Sequence, residues 1–337
     1  MKKPQMMTSK DDYDTTKCEK FIGKIFSKYM KTQPHSTILV TGGSGFLGQR
    51  LKLLQPDWMY VSSAECDLTD ASQVEQLFGD ISPTAIVHLA ARVGGIKENI
   101  NNQGTFFYEN TMMNTNVLQC AYKSGVERVL SSLSTCAYPD QMEHYPFTEE
   151  SFFKGPPAET NFAYGISKRG LQVQSCAYRK QYGVNYSTFS PSNLYGPGDH
   201  FGKENSHFVA ALVHKVAMAK GGDDIELWGS GLPLRQQLYV DDLCEIIPVL
   251  LEEHNTQEPL IVAPSQNLSI LQMARTLTEQ VEKRVAISFN GKMDGQFRKD
   301  GDNTKFLKLV GGYMFTPFQE GIKKTYDWYI ENGDLSV

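Results

Sequence analysis

Eight residues, Thr41-Gly42-Gly43-Ser44-Gly45-Phe46-Leu47-Gly48, constrain this chain more than any others. They follow a short apolar run, Ile38-Leu39-Val40, and lead into a segment with helical patterning. Gly43, Gly45 and Gly48 fit G-x-G-x-x-G, and Gly42, Gly45 and Gly48 fit G-x-x-G-x-x-G. Glycine permits a tight turn and lets the backbone approach a pyrophosphate. The N–H groups that open the next helix then point at that anion. Glycines alone could mark only a loop. Their place between a strand and a helix points to dinucleotide binding.

The pattern continues by alternation. Strands are expected at 58–61, 85–89, 128–133 and 186–190, and helices at 71–78, 105–124 and 161–182. Strands alternating with helices imply a Rossmann-type, doubly wound parallel α/β sheet covered on both faces. After residue 193 the regularity fades and glycines mark loops. Helices are expected near 206–220, 241–254, 269–283 and 318–332, with short strands near 225–228, 259–262 and 285–289. This divides the chain into an N-terminal extension (1–36), a dinucleotide-binding Rossmann-type domain (37–192, with later segments returning to it) and a mainly substrate-binding, smaller α/β domain (193–337).

Composition narrows the class. Of 337 residues, 40% are hydrophobic and 21% charged, an ordinary globular balance. The net charge of -5 leaves no nucleic-acid footprint. No apolar run reaches the ~20 residues of a membrane-spanning helix, and the N-terminus has no apolar signal core. Six cysteines with no C-x-x-C pair fit a soluble, cytoplasmic protein kept reduced. No metal site is expected. In the extension, Phe21, Ile22, Ile25, Phe26 and Tyr29 share one helical face. We read that face as docking on the protein's own body in preference to a membrane surface or a partner.

The end of the second strand bears on the choice of nicotinamide cofactor. An acidic residue about 20 positions after the glycines would bind a free ribose 2′-hydroxyl. Ser62 and Ser63 stand there instead, with Glu65 and Asp67 as the nearest acids. Serine hydroxyls can donate to a 2′-phosphate, which favours NADPH. The segment has no Arg or Lys to clamp it.

Tyr164-Gly-Ile-Ser-Lys168 is Y-x-x-x-K on an expected helix, so both side chains share a face. A nearby ammonium favours the phenolate and makes the phenol a better proton donor to a carbonyl oxygen. Tyr13 and Lys17 match the same spacing, but they lie in the polar tail. Ser134 follows the fourth strand, at the sheet edge where side chains reach a cofactor crevice. Its hydroxyl can hydrogen-bond the same substrate oxygen as Tyr164.

The glycine loop, Ser134 and Tyr164-x-x-x-Lys168 resemble the extended short-chain dehydrogenase/reductases. Leu89-Ala90-Ala91 and the run from Trp228 through Arg235 to Tyr239-Val240-Asp241-Asp242-Leu243 fit them too. Val93-Gly94-Gly95-Ile96, Ser134-Thr135-Cys136 with Tyr138-Pro139, and Pro191-Ser192-Asn193-Leu194-Tyr195-Gly196-Pro197-Gly198-Asp199-His200-Phe201 narrow the resemblance. It is to the 3,5-epimerase-4-reductases that convert GDP-4-keto-6-deoxy-D-mannose to GDP-L-fucose, and it runs from about 37 to 332.

The resemblance implies NADPH as cofactor, a GDP-linked sugar as substrate and a homodimer paired through helices near 105–124 and 161–182. It implies Cys136 and His207 as the acid–base pair of epimerisation. It adds Phe46, Leu47, Asp67, Leu68, Leu89, Ala90, Tyr164, Lys168, Pro191, Asn193 and Leu194 to the cofactor site, with Lys168 holding the nicotinamide ribose. Arg235 and Lys299 match positions that bind the sugar-nucleotide diphosphate. Trp228 is expected near the nucleotide, and Asn193 also near the substrate. Arg92, and Gln236-Gln237 after Arg235, depart from the pattern. Two rivals are a 4-epimerase or 4,6-dehydratase, and an epimerase/reductase of another nucleotide sugar. A non-catalytic nucleotide sensor ranks lowest, because every reactive residue is present. The dehydratase pattern would place an acidic pair where Thr135-Cys136 stand.

Overall fold

The computed structural model describes residues 37–202, 206–292 and 294–333. The apolar face from Phe21 to Tyr29 lies outside the described residues. In chain order the first elements are β1 (Ile38–Thr41), α1 (Phe46–Leu54), β2 (Met59–Val61), α2 (Ala71–Ile81), β3 (Ala85–His88), α3 (Ile96–Asn101), α4 (Gln103–Lys123) and β4 (Arg128–Ser132). Next come α5 (Phe162–Tyr182), β5 (Asn185–Pro191), β6 (Asn193–Tyr195), α6 (Phe208–Met218), β7 (Asp224–Leu227), β8 (Leu234–Arg235), β9 (Gln237–Tyr239) and α7 (Val240–Glu253). The last are β10 (Leu260–Val262), β11 (Leu268–Ser269), α8 (Ile270–Gln280), β12 (Ala286–Phe289), β13 (Arg298–Lys299), α9 (Thr304–Val310) and α10 (Phe318–Asn332).

The main sheet is six-stranded, in the order β10-β5-β4-β3-β1-β2, and every pairing is parallel. Strand alternation builds its two cores. Leu39, Ile86, Val129, Tyr186 and Ile261 point to one face, where Phe78 of α2, Val117 of α4 and Leu171 of α5 cover them. Ile38, Val40, Val87, Leu130, Phe189 and Val262 point to the other, under Leu51 of α1, Leu243 and Ile247 of α7 and Phe306 of α9. Thus α7, β10 and α9 return to the main sheet from the C-terminal part. Chain order reverses beside β1: β2 lies to one side and β3 to the other. Ligands of open α/β sheets bind at that reversal, beyond the strands' C-terminal ends.

A third core holds the C-terminal elements together, with Val209, Leu212 and Val213 of α6, Met273 and Leu277 of α8, and Phe318, Ile322 and Tyr329 of α10. Three small sheets frame it: β7 with β12, β6 with β9, and β8 between β11 and β13. The two-residue strands β8, β11 and β13 are too short for period-2 patterning to reveal from sequence. Bidentate bonds from Arg50 of α1 to Asp241 of α7, at 2.9 and 2.8 Å, explain the first acid of Val240-Asp241-Asp242. The second, Asp242, accepts from the Thr316 N–H and hydroxyl. Among the described residues no helix is long and apolar enough to cross a membrane, and no cluster of three or more His, Cys, Asp or Glu could hold a metal ion.

Candidate active site

The glycine turn is a tight cradle at the end of β1. Gly42 has φ +79°, and a Cβ there would come within 2.8 Å of the Ala90 nitrogen. A Cβ on Gly48 would meet the Gly42 carbonyl oxygen at 2.2 Å. Gly45 caps α1, so the N–H groups of Phe46 and Leu47 lack a carbonyl four residues back inside the helix. The side chains of Phe46 and Leu47 pack on the core below. The Thr41 hydroxyl receives the Ala90 N–H at 3.3 Å and lies 2.7 Å from His88 Nδ1. Thr41, Gly42 and Ala90 therefore bind the ends of β1 and β3 around the reversal, with Leu89 half-buried beside them. These residues fit a dinucleotide: side-chain-free backbone and open helix donors meet where a pyrophosphate would lie.

At the end of β2, the Ser62 N–H and hydroxyl both donate to Glu65 Oε2, at 2.8 and 2.6 Å. Those bonds hold the Glu65 carboxyl below its ordinary range. Ser63 and Asp67 are exposed, and Asp67 Oδ1 accepts from the Thr69 N–H and hydroxyl. Leu68 is buried in the core.

The second half of the site hangs on the turn after β4. Ser134 starts a short turn of 3-10 helix, Thr135–Ala137, and its Oγ accepts the Cys136 N–H at 3.1 Å. Tyr164 and Lys168 lie on α5 and are both buried. Helix and turn meet closely at Gly165, where a Cβ would come within 2.8 Å of Pro157 Cβ and 2.9 Å of the Cys136 carbonyl oxygen. Lys168 Nζ donates to the Ser132 carbonyl at 2.8 Å and lies 5.9 Å from the Tyr164 ring centre. Burial pushes the Lys168 amine down to about 8. Burial, with the Cys136 sulfur nearby, pushes the Tyr164 phenol up, and a hydrogen bond with Ser134 only partly offsets this. The sequence reading has Lys168 drawing the phenol toward phenolate; in the structure burial dominates, and the opposing effect comes from the Ser134 hydrogen bond. The phenol is therefore held as the proton-bearing acid.

Cys136 has a partner that sequence spacing does not show. Lys299 Nζ lies 2.8 Å from its sulfur, across 163 residues of chain. Burial alone would push this thiol up. The Lys299 charge and hydrogen bond, together with Ser134 and Asn161, outweigh it and hold the thiol below its ordinary value. β13 pairs parallel with β8, which sets Lys299 opposite Arg235. The Arg235 guanidinium donates to the Leu234 carbonyl at 2.7 Å, and burial pushes its pKa down against the opposing effect of Cys136. Ser134, Cys136, Tyr164, Lys299 and Arg235 thus form one buried-to-half-buried electrostatic cluster.

The other expected residues stand elsewhere on the fold. Pro191 ends β5, and Asn193 and Leu194 open β6, half-buried. His207 is exposed and caps α6. Asp199, which the sequence reading left without a role, is within electrostatic reach of it. Burial pushes the Asp199 carboxyl up, and His207, His200 and the His200 N–H partly offset this. Trp228 is exposed, with Lys292 Nζ 4.9 Å from its ring centre. Arg92 pairs with Glu109 at 3.0 Å. Sequence reading also missed Asn161 beside Cys136; its position three residues before Tyr164, on the site-facing side of the same helix start, was the available signal.

Comparison with known proteins agrees with this geometry. The model of the NAD dependent epimerase/dehydratase family matches residues 38–263. A GDP-L-fucose synthase of Dictyostelium discoideum is 36% identical over 313 residues, 90% of this chain and 98% of that protein. A probable GDP-L-fucose synthase of Drosophila melanogaster is 34% identical over 321 residues, 88% of this chain and 98% of that one. The crystal structure of a GDP-L-fucose synthetase from Naegleria fowleri bound to NADP is 36% identical, with a TM-score of 0.83 over 89% of this chain and 94% of that chain. The cradle, the Ser–Tyr–Lys set and these matches together place the chain in the NAD dependent epimerase/dehydratase family, in its GDP-L-fucose synthase branch.

Proposed function

We propose that the chain is an NADPH-dependent epimerase/oxidoreductase that converts GDP-4-keto-6-deoxy-D-mannose to GDP-L-fucose by 3,5-epimerisation and 4-reduction. The observation that carries the reading is a charge-supported thiol, Cys136, in the same cluster as the carbonyl-reducing pair Ser134 and Tyr164. A C4 ketone acidifies the hydrogens on C3 and C5, and inversion there needs a base on one face and an acid on the other. Cys136 removes the proton, while Tyr164 and Ser134 hydrogen-bond the enolate oxygen. His207 returns a proton to the opposite face, and the cycle repeats at the second carbon. Bound NADPH supplies the hydride for C4. Tyr164 gives that oxygen its proton, and Lys168 holds the nicotinamide ribose. Ser63, exposed beyond β2, serves the 2′-phosphate, and Ser62 joins it when its hydroxyl leaves Glu65. Arg235 takes the diphosphate, Trp228 lies against the nucleotide and Asn193 orders the site between them.

In this reading residues 37–192, with the returning segments, hold the cofactor, and 193–337 mainly hold the substrate. The protein acts in the cytoplasm as a homodimer paired through α4 and α5, whose exposed Phe107, Tyr108 and Val173 support that face. Light scattering at working concentration should give twice the chain mass. The enzymatic test is NADPH oxidation with GDP-4-keto-6-deoxy-D-mannose, with the product read by NMR. Stoichiometric oxidation and an L-fucose configuration are expected. Turnover confined to a UDP- or dTDP-linked sugar would overturn the substrate, and a recycled cofactor would indicate a 4-epimerase.

A further inference from the structure

We infer that Lys299 is a positioning residue for epimerisation, which keeps Cys136 as a thiolate, and that phosphate binding is not its main task. The inference rests on the reading of Cys136 as the base. A thiol is a useful base only when neighbouring positive charge makes its thiolate accessible at neutral pH. Lys299 is the cation whose nitrogen reaches the sulfur, at 2.8 Å. The other groups facing Cys136 are Arg235 from β8, Tyr164 and Asn161 at the start of α5, and Ser134 on its own turn. The Arg235 fork donates to the Leu234 and Phe297 carbonyls, so it contributes charge without touching the sulfur.

The backbone around Lys299 is held from two sides. Gln236 clamps Gly301 with both ends of its amide: Nε2 donates to the Gly301 carbonyl at 3.0 Å, and the Gly301 N–H donates to Oε1 at 2.9 Å. On the other side the Phe147 N–H donates to the Asp300 carbonyl, and the Asp302 N–H to the Phe147 carbonyl. Gln236, a departure from the family pattern in sequence, is thus a buried part of the frame that aims Lys299. A lysine serving mainly as a flexible phosphate contact would not need such a frame. The hydrogen bond to the sulfur uses one of the three donors of the ammonium and keeps its charge beside the thiol.

The test is the pH dependence of iodoacetamide alkylation at Cys136, read by peptide mass spectrometry on the full chain without substrate. In the wild type the midpoint should lie below the ~8.5 of a free thiol. Lys299→Met should raise it and slow alkylation at pH 7 by about tenfold or more, since each unit is tenfold in thiolate fraction. Lys299→Arg should restore most of the rate. With GDP-4-keto-6-deoxy-D-mannose, Lys299→Met should lower the rate of solvent-deuterium entry at C3 and C5 and leave KM within about twofold. A wild-type midpoint at or above the free-thiol value would overturn the inference. So would unchanged alkylation in Lys299→Met with a raised KM, which would make the residue a phosphate ligand. A shifted midpoint in a protein that does not turn over this sugar would retain the Lys299–Cys136 assignment and reject the substrate.

Discussion

A phenol and a thiol, Tyr164 and Cys136, share a small volume, and their opposed shifts divide the chemistry between them. Burial pushes the Tyr164 phenol up, so it holds its proton, while at Cys136 burial is outweighed and the Lys299 charge draws the thiol below its ordinary value, which makes its proton easier to remove. Groups whose environments push them apart in this way divide into acid and base roles. Cys136→Ser should therefore abolish deuterium entry at C3 and C5 by about 100-fold or more, while NADPH oxidation persists and yields a non-epimerised product. Equal loss of both activities would remove Cys136 from its role. Tyr164→Phe should reduce NADPH oxidation by about 10²–10⁴-fold, because it removes the proton donor to the C4 oxygen. Tyr164 and Lys168 could be recognised from spacing and position together. The pairing of Lys299 with Cys136 could not, because β8 and β13 create it across the whole second half of the chain.

The β1–α1 turn is the element on which cofactor binding depends. Gly48→Ala would drive a methyl into the Gly42 carbonyl, so the turn must open or the helix must shift. NADPH affinity, followed by fluorescence titration, should weaken by at least about tenfold, which corresponds to roughly 1.4 kcal/mol. Wild-type affinity in that variant would show that the turn does not cradle the pyrophosphate. Gly165 has the analogous task between α5 and the Cys136 turn. Its substitution by Ala should lower solvent-deuterium entry at C3 and C5 and weaken NADPH binding less than Gly48→Ala does, since Gly165 lies between Tyr164 and Lys168 and not in the pyrophosphate cradle. The long strands and helices were legible because their apolar periodicity repeats over several residues. Two-residue strands carry no such signal, although β8 and β13 position Arg235 and Lys299.

At the scale of the whole molecule, two buried histidines couple stability to pH. His88 on β3 and His254 after α7 are held down to about 4, first by desolvation. His88 is fixed between Thr41 and Asn114, and His254 Nε2 bonds the Thr188 carbonyl. The unfolded chain binds these protons near ~6.5, so it takes them up first as pH falls. Stability from each neutral imidazole is complete above about 6.5 and declines toward pH 4, by up to roughly 3 kcal/mol apiece. Urea unfolding between pH 7.5 and 4.5 should show that decline, and His254→Gln should make it shallower. A slope identical to wild type would sink the assignment. His88 lies beneath the cradle, so acid should loosen cofactor binding and the fold together.

The amino-acid order alone determined the doubly wound sheet, the glycine cradle and the Ser134–Tyr164–Lys168 set, because these are local patterns of strand, turn and helix. It also marked Cys136, His207 and Arg235 through segments that resemble a family. Tertiary structure alone decided which later segments return to the main sheet, namely α7, β10 and α9, that Gln236 frames Gly301, and that Lys299 reaches Cys136. The physical reason is range. Periodicity and spacing act over a few residues, whereas burial and charge act through space between segments that only the folded chain brings together.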